Sequence, residues 1–326
     1  MKLKKLVVSL VTILFAIICM FLVIQNMPGD PVETLAAEIA RTENLEMELA
    51  YAKAKSVLNY DPDIPVMQRL VNYLGGVLRG NLGTSLAYHK PVLQLVLGAL
   101  PWTLLVLTIS LTLSFSVGVL TGIFIAWKRK RWMNAALNVW QSIFGSIPDY
   151  IVAYLLIFLF AVTLGWLPAR GPYSAEVTPG FNMAFIANVI RHAILPVMAY
   201  FLTTVANWTI GMRANALTVL GEDYVTYATA RGLSQRRILV HYVGRNSVLP
   251  MITSLAISFG FMFGGSPLIE NLFLYPGVGY YLNQAITRRD YPLMQGMYFI
   301  MIVVVVLSGL LAEKLYAVLN PRLRER

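Results

Sequence analysis

Residues able to do chemistry are sparse in this chain, and their placement is as informative as their type. Arg231, Arg236, Arg237 and Arg245 fall within Glu222–Pro250 (EDYVTYATARGLSQRRILVHYVGRNSVLP), a polar helical stretch between long apolar runs. With Glu222 and Asp223 at its head, such a segment has the chemistry to dock another protein or to lie on a membrane surface. Asp149 is the sole carboxylate well inside an apolar run, 17 residues after Trp132 and 17 before Trp166. An acid at membrane depth faces protein or an aqueous cavity, because lipid cannot solvate it. Two readings stand: it lines a path and meets a cationic group, or Pro148 breaks the helix and Asp149 caps the next segment. His89, His192 and His241 are scattered, without metal-ligand spacing. Cys19 is the only cysteine, which rules out a disulfide within the chain, and a thiol among Ile and Met residues reads as inert packing. The sequence has neither G-x-x-x-x-G-K-[ST] nor any Gly-Lys dipeptide, and no nucleophile elbow. Without a P-loop to cradle phosphates, any ATP that drives this protein must be hydrolysed by a separate subunit. The expectation is a non-catalytic chain that binds no cofactor and no metal.

The elements that must position these residues are membrane spans. The 326 residues are 57% hydrophobic and 13% charged, with a mean hydropathy of +0.65, values of a polytopic membrane protein. Leu6–Ile24 gives 19 uncharged residues, roughly 28 Å of helix at ~1.5 Å per residue, enough to span. Lys2, Lys4 and Lys5 precede it as in a signal peptide, but Gln25-Asn26-Met27-Pro28 has no small-x-small cleavage site, so it reads as a retained span. Five more are expected within Thr103–Trp127, Trp132–Trp166, His192–Met212, Asn246–Ile269 and Tyr291–Ala312.

With both termini inside, 16 of the 26 Lys and Arg residues fall on the cytoplasmic side, including Lys128 to Arg131 and the arginines of Glu222–Pro250. The other ten are mostly in one long outer segment, where the positive-inside rule is weak. Four of the 16 acidic residues are inside and 11 outside. The net charge of +10 is therefore a topology signal and gives no argument for nucleic acid.

The expected organisation is a first span (1–25), an extracytoplasmic segment (26–97), a five-span core (98–318) with a cytoplasmic loop at 214–245, and a basic tail (319–326). Within the outer segment, Thr34–Leu58 has a Glu-rich helical pattern, Asp61-Pro62-Asp63-Ile64-Pro65 breaks it, and Val66–Val77 is amphipathic before the turn Gly80-Asn81-Leu82-Gly83. This reads as a small cap rather than an independent domain.

In the loop, Glu222 and Asp223 suit a helix N-terminus. Tyr224, Tyr227, Ala228 and Arg231 recur at i, i+3, i+4 and i+7 and give one face. Gly232 stops this helix, and Ser234 is placed to cap a second one running from Gln235 to about Val243. The elbow is either an ordinary interfacial loop or a helix that inserts into a partner's groove.

This stretch resembles the EAA loop of ABC-importer permeases, in the oligopeptide and dipeptide form D-Y-x-x-x-A-x-A-x-G-L-S-x-R-R followed by R-N and L-P. The matching residues are Asp223, Tyr224, Ala228, Ala230, Gly232, Leu233, Ser234, Arg236, Arg237, Arg245, Asn246, Leu249 and Pro250. At the nominal Glu-Ala-Ala stand Thr226, Tyr227 and Ala228, and Gly232 lies 18 residues before Pro250, both in keeping with the peptide branch. Met27-Pro28-Gly29-Asp30-Pro31 resembles that family's P-G-D-P signature. Arg79-Gly80-Asn81-Leu82-Gly83-Thr84-Ser85 with Pro91-Val92 resembles R-G-D-L-G-x-S…P-V, with Asn81 for Asp. Ser146-Ile147-Pro148, Leu164-Gly165-Trp166-Leu167-Pro168, Tyr275-Pro276-Gly277-Val278-Gly279 and Arg289-Asp290-Tyr291-Pro292 follow in the family's order.

The resemblance implies an all-α, six-span type I importer permease in a bacterial or archaeal cell membrane, the B-type half of a heterodimeric channel. Its implied partners are a C-type permease subunit, one or two ABC ATPase subunits that hold ATP and Mg, an extracytoplasmic substrate-binding protein and membrane lipid. Implied ATPase-coupling residues are Asp223, Tyr224, Tyr227, Ala228, Gly232, Leu233, Arg236 and Arg237; path candidates are Asp149, Asn207 and Trp208. For Asn207 and Trp208, mid-span glue between helices is the competing reading. Short peptides are the expected cargo, with oligosaccharides or nickel chelates as alternatives. From other classes, a membrane receptor or scaffold could use the same loop for signalling. A secondary transporter fits less well, given one mid-span carboxylate and no clear inverted repeat. Met251, Met262, Met294, Met297 and Met301 read as packing rather than a soft-metal path.

Overall fold

A computed structural model describes residues 3–27, 31–58 and 64–319. Positions 28–30 of the P-G-D-P element, 61–63 of the Asp-Pro break and the tail 320–326 lie outside them. Long runs of Leu, Val, Ile and Ala form helices because a helix satisfies its own backbone groups where no water can. Four elements cross on length and hydropathy as single helices: α1 (Leu3–Gln25), α5 (Val92–Lys128), α8 (Met183–Leu220) and α13 (Tyr291–Leu319). A fifth span, Gln235–Gly264, runs through α10 (Gln235–Arg237), a π-helical stretch (Ile238–Gly244) and α11 (Arg245–Leu272).

The third expected span differs. It is two helices, α6 (Arg131–Phe144) and α7 (Asp149–Leu156, continued as a π-helix over Ile157–Thr163), bent by 91°. Counting this pair as one crossing gives six. Pro148 causes the break: it has no N–H to donate and drives the residue before it out of the helical region. Asp149 therefore does not stand midway along a continuous helix; it opens α7, and its Oδ1 accepts the Tyr150 N–H at 2.8 Å.

The chain divides into two compact units. The first comprises Met1–Pro101 and Gly277–Val306. Thr34–Leu58 proves to be a helical hairpin, α2 (Pro31–Glu43) and α3 (Met47–Leu58), turned at Asn44 with φ 53 and tied by a Lys53–Glu43 ion pair. Val32, Ala36 and Ile39 close on Ala50 and Ala54, whose small side chains let the helices approach. The amphipathic α4 (Val66–Leu78) leans on α1: Arg69 Nη1 donates to Gln25 Oε1 at 2.8 Å, and Phe21 stacks on Tyr73 at 5.5 Å. The segment before α13 adds an element not legible in advance, α12 (Val278–Arg288), ended by the left-handed Arg289. Asp290, fully buried, then gathers Ser85 Oγ (2.6 Å), Ala87 N (3.0 Å) and Leu293 N (3.1 Å), fixing the Gly80–Ser85 turn to the head of α13. Residue 98, the expected start of the core, falls inside α5 rather than between elements.

The second unit, Trp102–Pro276 with Leu307–Arg326, holds the candidate site. Lipid supplies no hydrophobic drive between helices, so close approach does the work. Along α5, Gly118 and Gly122 lie where α8 crosses; a Cβ on Gly118 would fall 2.3 Å from Trp208 Cβ, and one on Gly122 2.6 Å from the Thr209 carbonyl. Hydroxyls line the same seam, with Thr204 Oγ1 donating to Ser114 Oγ and Thr121 Oγ1 paired with Thr209 Oγ1, both at 2.9 Å. Outward from the seam, His192 is buried, and its Nδ1 donates to the Arg170 and Gly171 carbonyls while Nε2 accepts from Ser174 Oγ. That is a structural staple holding the 164–182 loop to α8. Cys19, expected as packing, is exposed on α1. Met251, Met294, Met297 and Met301 are buried, and Met262 is half-buried.

Candidate coupling elbow and membrane cleft

Helix α8 runs on to Leu220, and Gly221-Glu222 turn the chain into α9 (Asp223–Ala230). Glu222 is the N-cap residue in an extended conformation, and Asp223 lies in the first turn, where the helix dipole favours an acid. Gly232 takes φ +72, a left-handed turn that a side chain resists, and Ser234 opens the second arm. The second arm is not the separate short helix ending near Val243 that the sequence implied. Ile238 and Arg245 keep helical dihedrals (φ −61, ψ −49 and φ −58, ψ −44), so the backbone is helical without a break from Gln235 into α11. Only residues 221–234 are loop and first arm; the rest is the foot of a membrane helix.

The elbow rests on a small apolar foundation: Val225 and Ala228 of α9, Ile238 and Val243 of the second arm, Ala126 of α5 and Ala216 of α8. Ala228 is therefore buried, 2% exposed, and does not share the outward face proposed for it. Leu233 is half-buried against the same cluster. The reason is steric, since only a small residue lets α9 lie this close. What faces outward is Tyr224, Tyr227 (66% exposed), Arg231, Arg236 and Arg237. Arg231 lies over the Tyr227 ring at 5.9 Å. Asn246 Nδ2 donates to the Tyr224 hydroxyl at 3.2 Å and to the Tyr242 carbonyl at 2.7 Å, joining α9 to the foot of α11. Burial raises the Tyr224 phenol above its ordinary range and Glu222 adds to this, while the Asn246 contact opposes it. Beside the bend, Ser234, Arg236, Arg237, Val240 and His241 line a basic surface depression of about 360 Å³.

Deeper in the same unit, α5, α8 and α11 enclose an open cleft of about 330 Å³. Asn207 and Trp208 both line it; Asp149 is absent from its wall. Trp208 is mostly seam, 7% exposed and set edge-on to Phe115 at 5.2 Å, whereas Asn207 is exposed. Sequence reading passed over Thr204, Ser254 and Ser258 in this wall. The signal was present in α11, where Ser254 and Ser258 repeat at i, i+4 inside an apolar run. Glu270, one residue past the expected span Asn246–Ile269, is 3% exposed and accepts from Thr103 Oγ1 at 2.7 Å.

Among the described residues, no group of three or more His, Cys, Asp or Glu is placed to hold a metal. Helices long and apolar enough to cross a membrane, an exposed cationic elbow and a cleft lined in part by hydroxyls are what the described residues present. The chain belongs to the binding-protein-dependent transport system inner membrane component family, whose model matches residues 118–325. It is thus a permease subunit of a binding-protein-dependent ABC importer, resident in an inner membrane, working with ATPase and substrate-binding partners. It is 33% identical over 324 residues to a "probable peptide ABC transporter permease protein" of Sinorhizobium fredii, covering 99% of this chain and 98% of that one. It is 32% identical to a di/tripeptide transport system permease protein of Pseudomonas aeruginosa (94% and 93% covered). To a glutathione transport system permease protein of Escherichia coli it is 29% identical (98% and 97% covered).

Proposed function

We propose that this permease forms the B-type half of the translocation path for short peptides, paired with a C-type permease and driven by one or two ATPase subunits that bind ATP and Mg. The supporting observation is mechanical. The exposed face of Tyr224, Tyr227, Arg231, Arg236 and Arg237 sits on an elbow whose second arm is continuous with α11. A partner that grips this face and moves between two positions moves a membrane helix with it. Such a two-state element with differential contacts is what ligand-driven switching requires. Asp223 and Gly232 shape the elbow, while Ala228 and Leu233 seat it. Asn207 and Trp208 are proposed to flank the path. Asp149, at the bend of the third span, is proposed as an acid beside it, and unchanged uptake of cationic and neutral cargo in Asp149→Asn would remove it.

The test pairs cargo with coupling. Cells with and without the chain are given labelled di- to hexapeptides and, separately, oligosaccharides; chain-dependent uptake is expected for peptides alone. In proteoliposomes, Arg236→Glu with Arg237→Glu should abolish uptake while the chain still inserts in the membrane. Wild-type uptake and ATPase coupling in that variant would overturn the role given to the elbow.

A further inference from the structure

We infer that the cleft between α8 and α11 is an uncharged main-chain-reading segment of the path, which takes the peptide backbone and is indifferent to the charge of its side chains. The inference rests on the peptide-permease reading above and narrows it.

Three observations carry it. The first is chemical. The polar wall consists of Thr204, Asn207, Ser254 and Ser258, with Trp208 and Phe261 beside them, and no lining residue is charged. Hydroxyls and a carboxamide offer both donors and acceptors, the complement of peptide N–H and C=O groups. With no charge of either sign in it, the wall neither attracts nor repels a Lys-bearing peptide relative to a Glu-bearing one.

The second is exposure. Asn207 and Ser254 are exposed on the surface of a membrane helix pair. Lipid would leave the Asn207 amide without hydrogen-bond partners, which is costly for a carboxamide. Water, substrate or a neighbouring polar surface must therefore meet it. Ser254 Oγ already donates to the Pro250 carbonyl at 3.3 Å, so its lone pairs remain to accept.

The third is size. Thr204 to Gly211 on α8 and Met251 to Met262 on α11 mark the extent of the wall, about 10 Å and 16 Å at ~1.5 Å per residue. An extended chain at ~3.3 Å per residue places three to five residues along that length. A cleft of about 330 Å³ also lies within the range that small-molecule sites occupy, roughly 300–1,000 Å³.

The test uses the complete transporter in proteoliposomes, on a Cys19→Ser background that removes the only cysteine. Ser258→Cys and Asn207→Cys are each exposed to a water-soluble methanethiosulfonate reagent, with Phe158→Cys as an outward-facing control. Modification at least tenfold faster than the control, and slowed severalfold while a tripeptide is being transported, is expected. Modification at the control's rate would overturn the inference and is the result expected if a second permease subunit covers this face; a fast rate that transported tripeptide leaves unchanged would overturn it as well. Independently, Ser258→Asp should raise the uptake ratio of a Lys-containing over a Glu-containing tripeptide about tenfold, from a wild-type ratio that matches the binding protein's own preference. An unchanged ratio in Ser258→Asp, with peptide uptake intact, would sink the neutral-wall assignment alone. Failure of the wild-type transporter to move any peptide would instead remove the peptide reading beneath it.

Discussion

The Asn246 carboxamide donates to the Tyr224 hydroxyl at 3.2 Å, across 22 residues, and so closes the elbow upon itself. Tyr224 belongs to the first arm and Asn246 to the foot of α11, which makes this the direct polar link between docking face and membrane helix. A neutral hydrogen bond of this kind contributes about 0.5–1.5 kcal/mol net. Tyr224→Phe and Asn246→Ala should each lower peptide uptake per ATP hydrolysed by severalfold. The double variant should be no worse than Asn246→Ala alone, because that substitution already removes the bond to Tyr224 together with the one to the Tyr242 carbonyl. The measurement is the uptake-to-hydrolysis ratio in proteoliposomes; additive losses would mean the two residues act separately.

The same contact predicts an absence of pH dependence. Burial and Glu222 hold the Tyr224 phenol above its ordinary value, which is about 10 in model peptides. A group whose folded pKa is raised gives its full contribution below the unfolded value and loses it as pH rises through the folded one. The phenol stays protonated through the working range, and Tyr224 should impose no change on the coupling ratio between pH 6 and 9. A fall in that interval, seen in the wild type and absent from Tyr224→Phe, would contradict the assignment.

Gly232 tests the shape of the elbow without touching its contacts. A Cβ built there meets nothing within 4 Å, so any substitution acts through the backbone at φ +72 alone. The left-handed region costs a side chain roughly 1–2 kcal/mol, less for Asn, and most for a β-branched residue or for Pro, whose ring fixes φ at the wrong sign. Uptake should fall in the order Gly, Asn, Ala, Val, with Gly232→Pro inactive and all variants inserted in the membrane. Equal activity of the Asn and Val variants would show that the bend is not needed.

Much of this was legible in the residue pattern, for definable reasons. Spans announce themselves because twenty apolar residues have few other uses, and Gly232 announced the elbow because little else takes a left-handed turn so easily. The third span misled because composition reports apolarity and not continuity; Pro148 was visible, but the size of the bend depends on what packs around it. Ala228 was assigned to the docking face because i, i+3, i+4 spacing groups Tyr224, Tyr227 and Ala228 without saying which edge of that stripe is buried. Packing against Ala126 and Ala216 decides that, and Ala126 lies on another helix about a hundred residues earlier. The burial of Glu270 has no local sign, because its partner, Thr103, lies 167 residues earlier. The cleft was legible only on its α8 side, through Asn207 and Trp208; the i, i+4 pair Ser254 and Ser258 acquires meaning only when α8 is brought beside it.

The seam between α5 and α8 carries the last prediction, and it connects packing to the path. Gly118 and Gly122 allow the helices to meet so closely that a Cβ on Gly122 would fall 2.6 Å from the Thr209 carbonyl and 2.8 Å from Met212 Cβ. Backbone atoms cannot swing aside, so Gly118→Val and Gly122→Val must push the helices apart. Overpacking of this kind costs typically 1–3 kcal/mol. Gly98, by contrast, has nothing within 4 Å of a built Cβ, and Gly98→Ala should fall within about 0.5 kcal/mol of the wild type. The check is the thermal midpoint of the purified transporter in detergent, followed by monodispersity on gel filtration. The seam variants should melt several degrees lower, and Gly98→Ala should not. Because Thr204 and Trp208 belong both to this seam and to the cleft wall, a seam variant that survives purification should also transport more slowly. Full stability and full uptake in Gly122→Val would show that the close crossing is not what sets the wall.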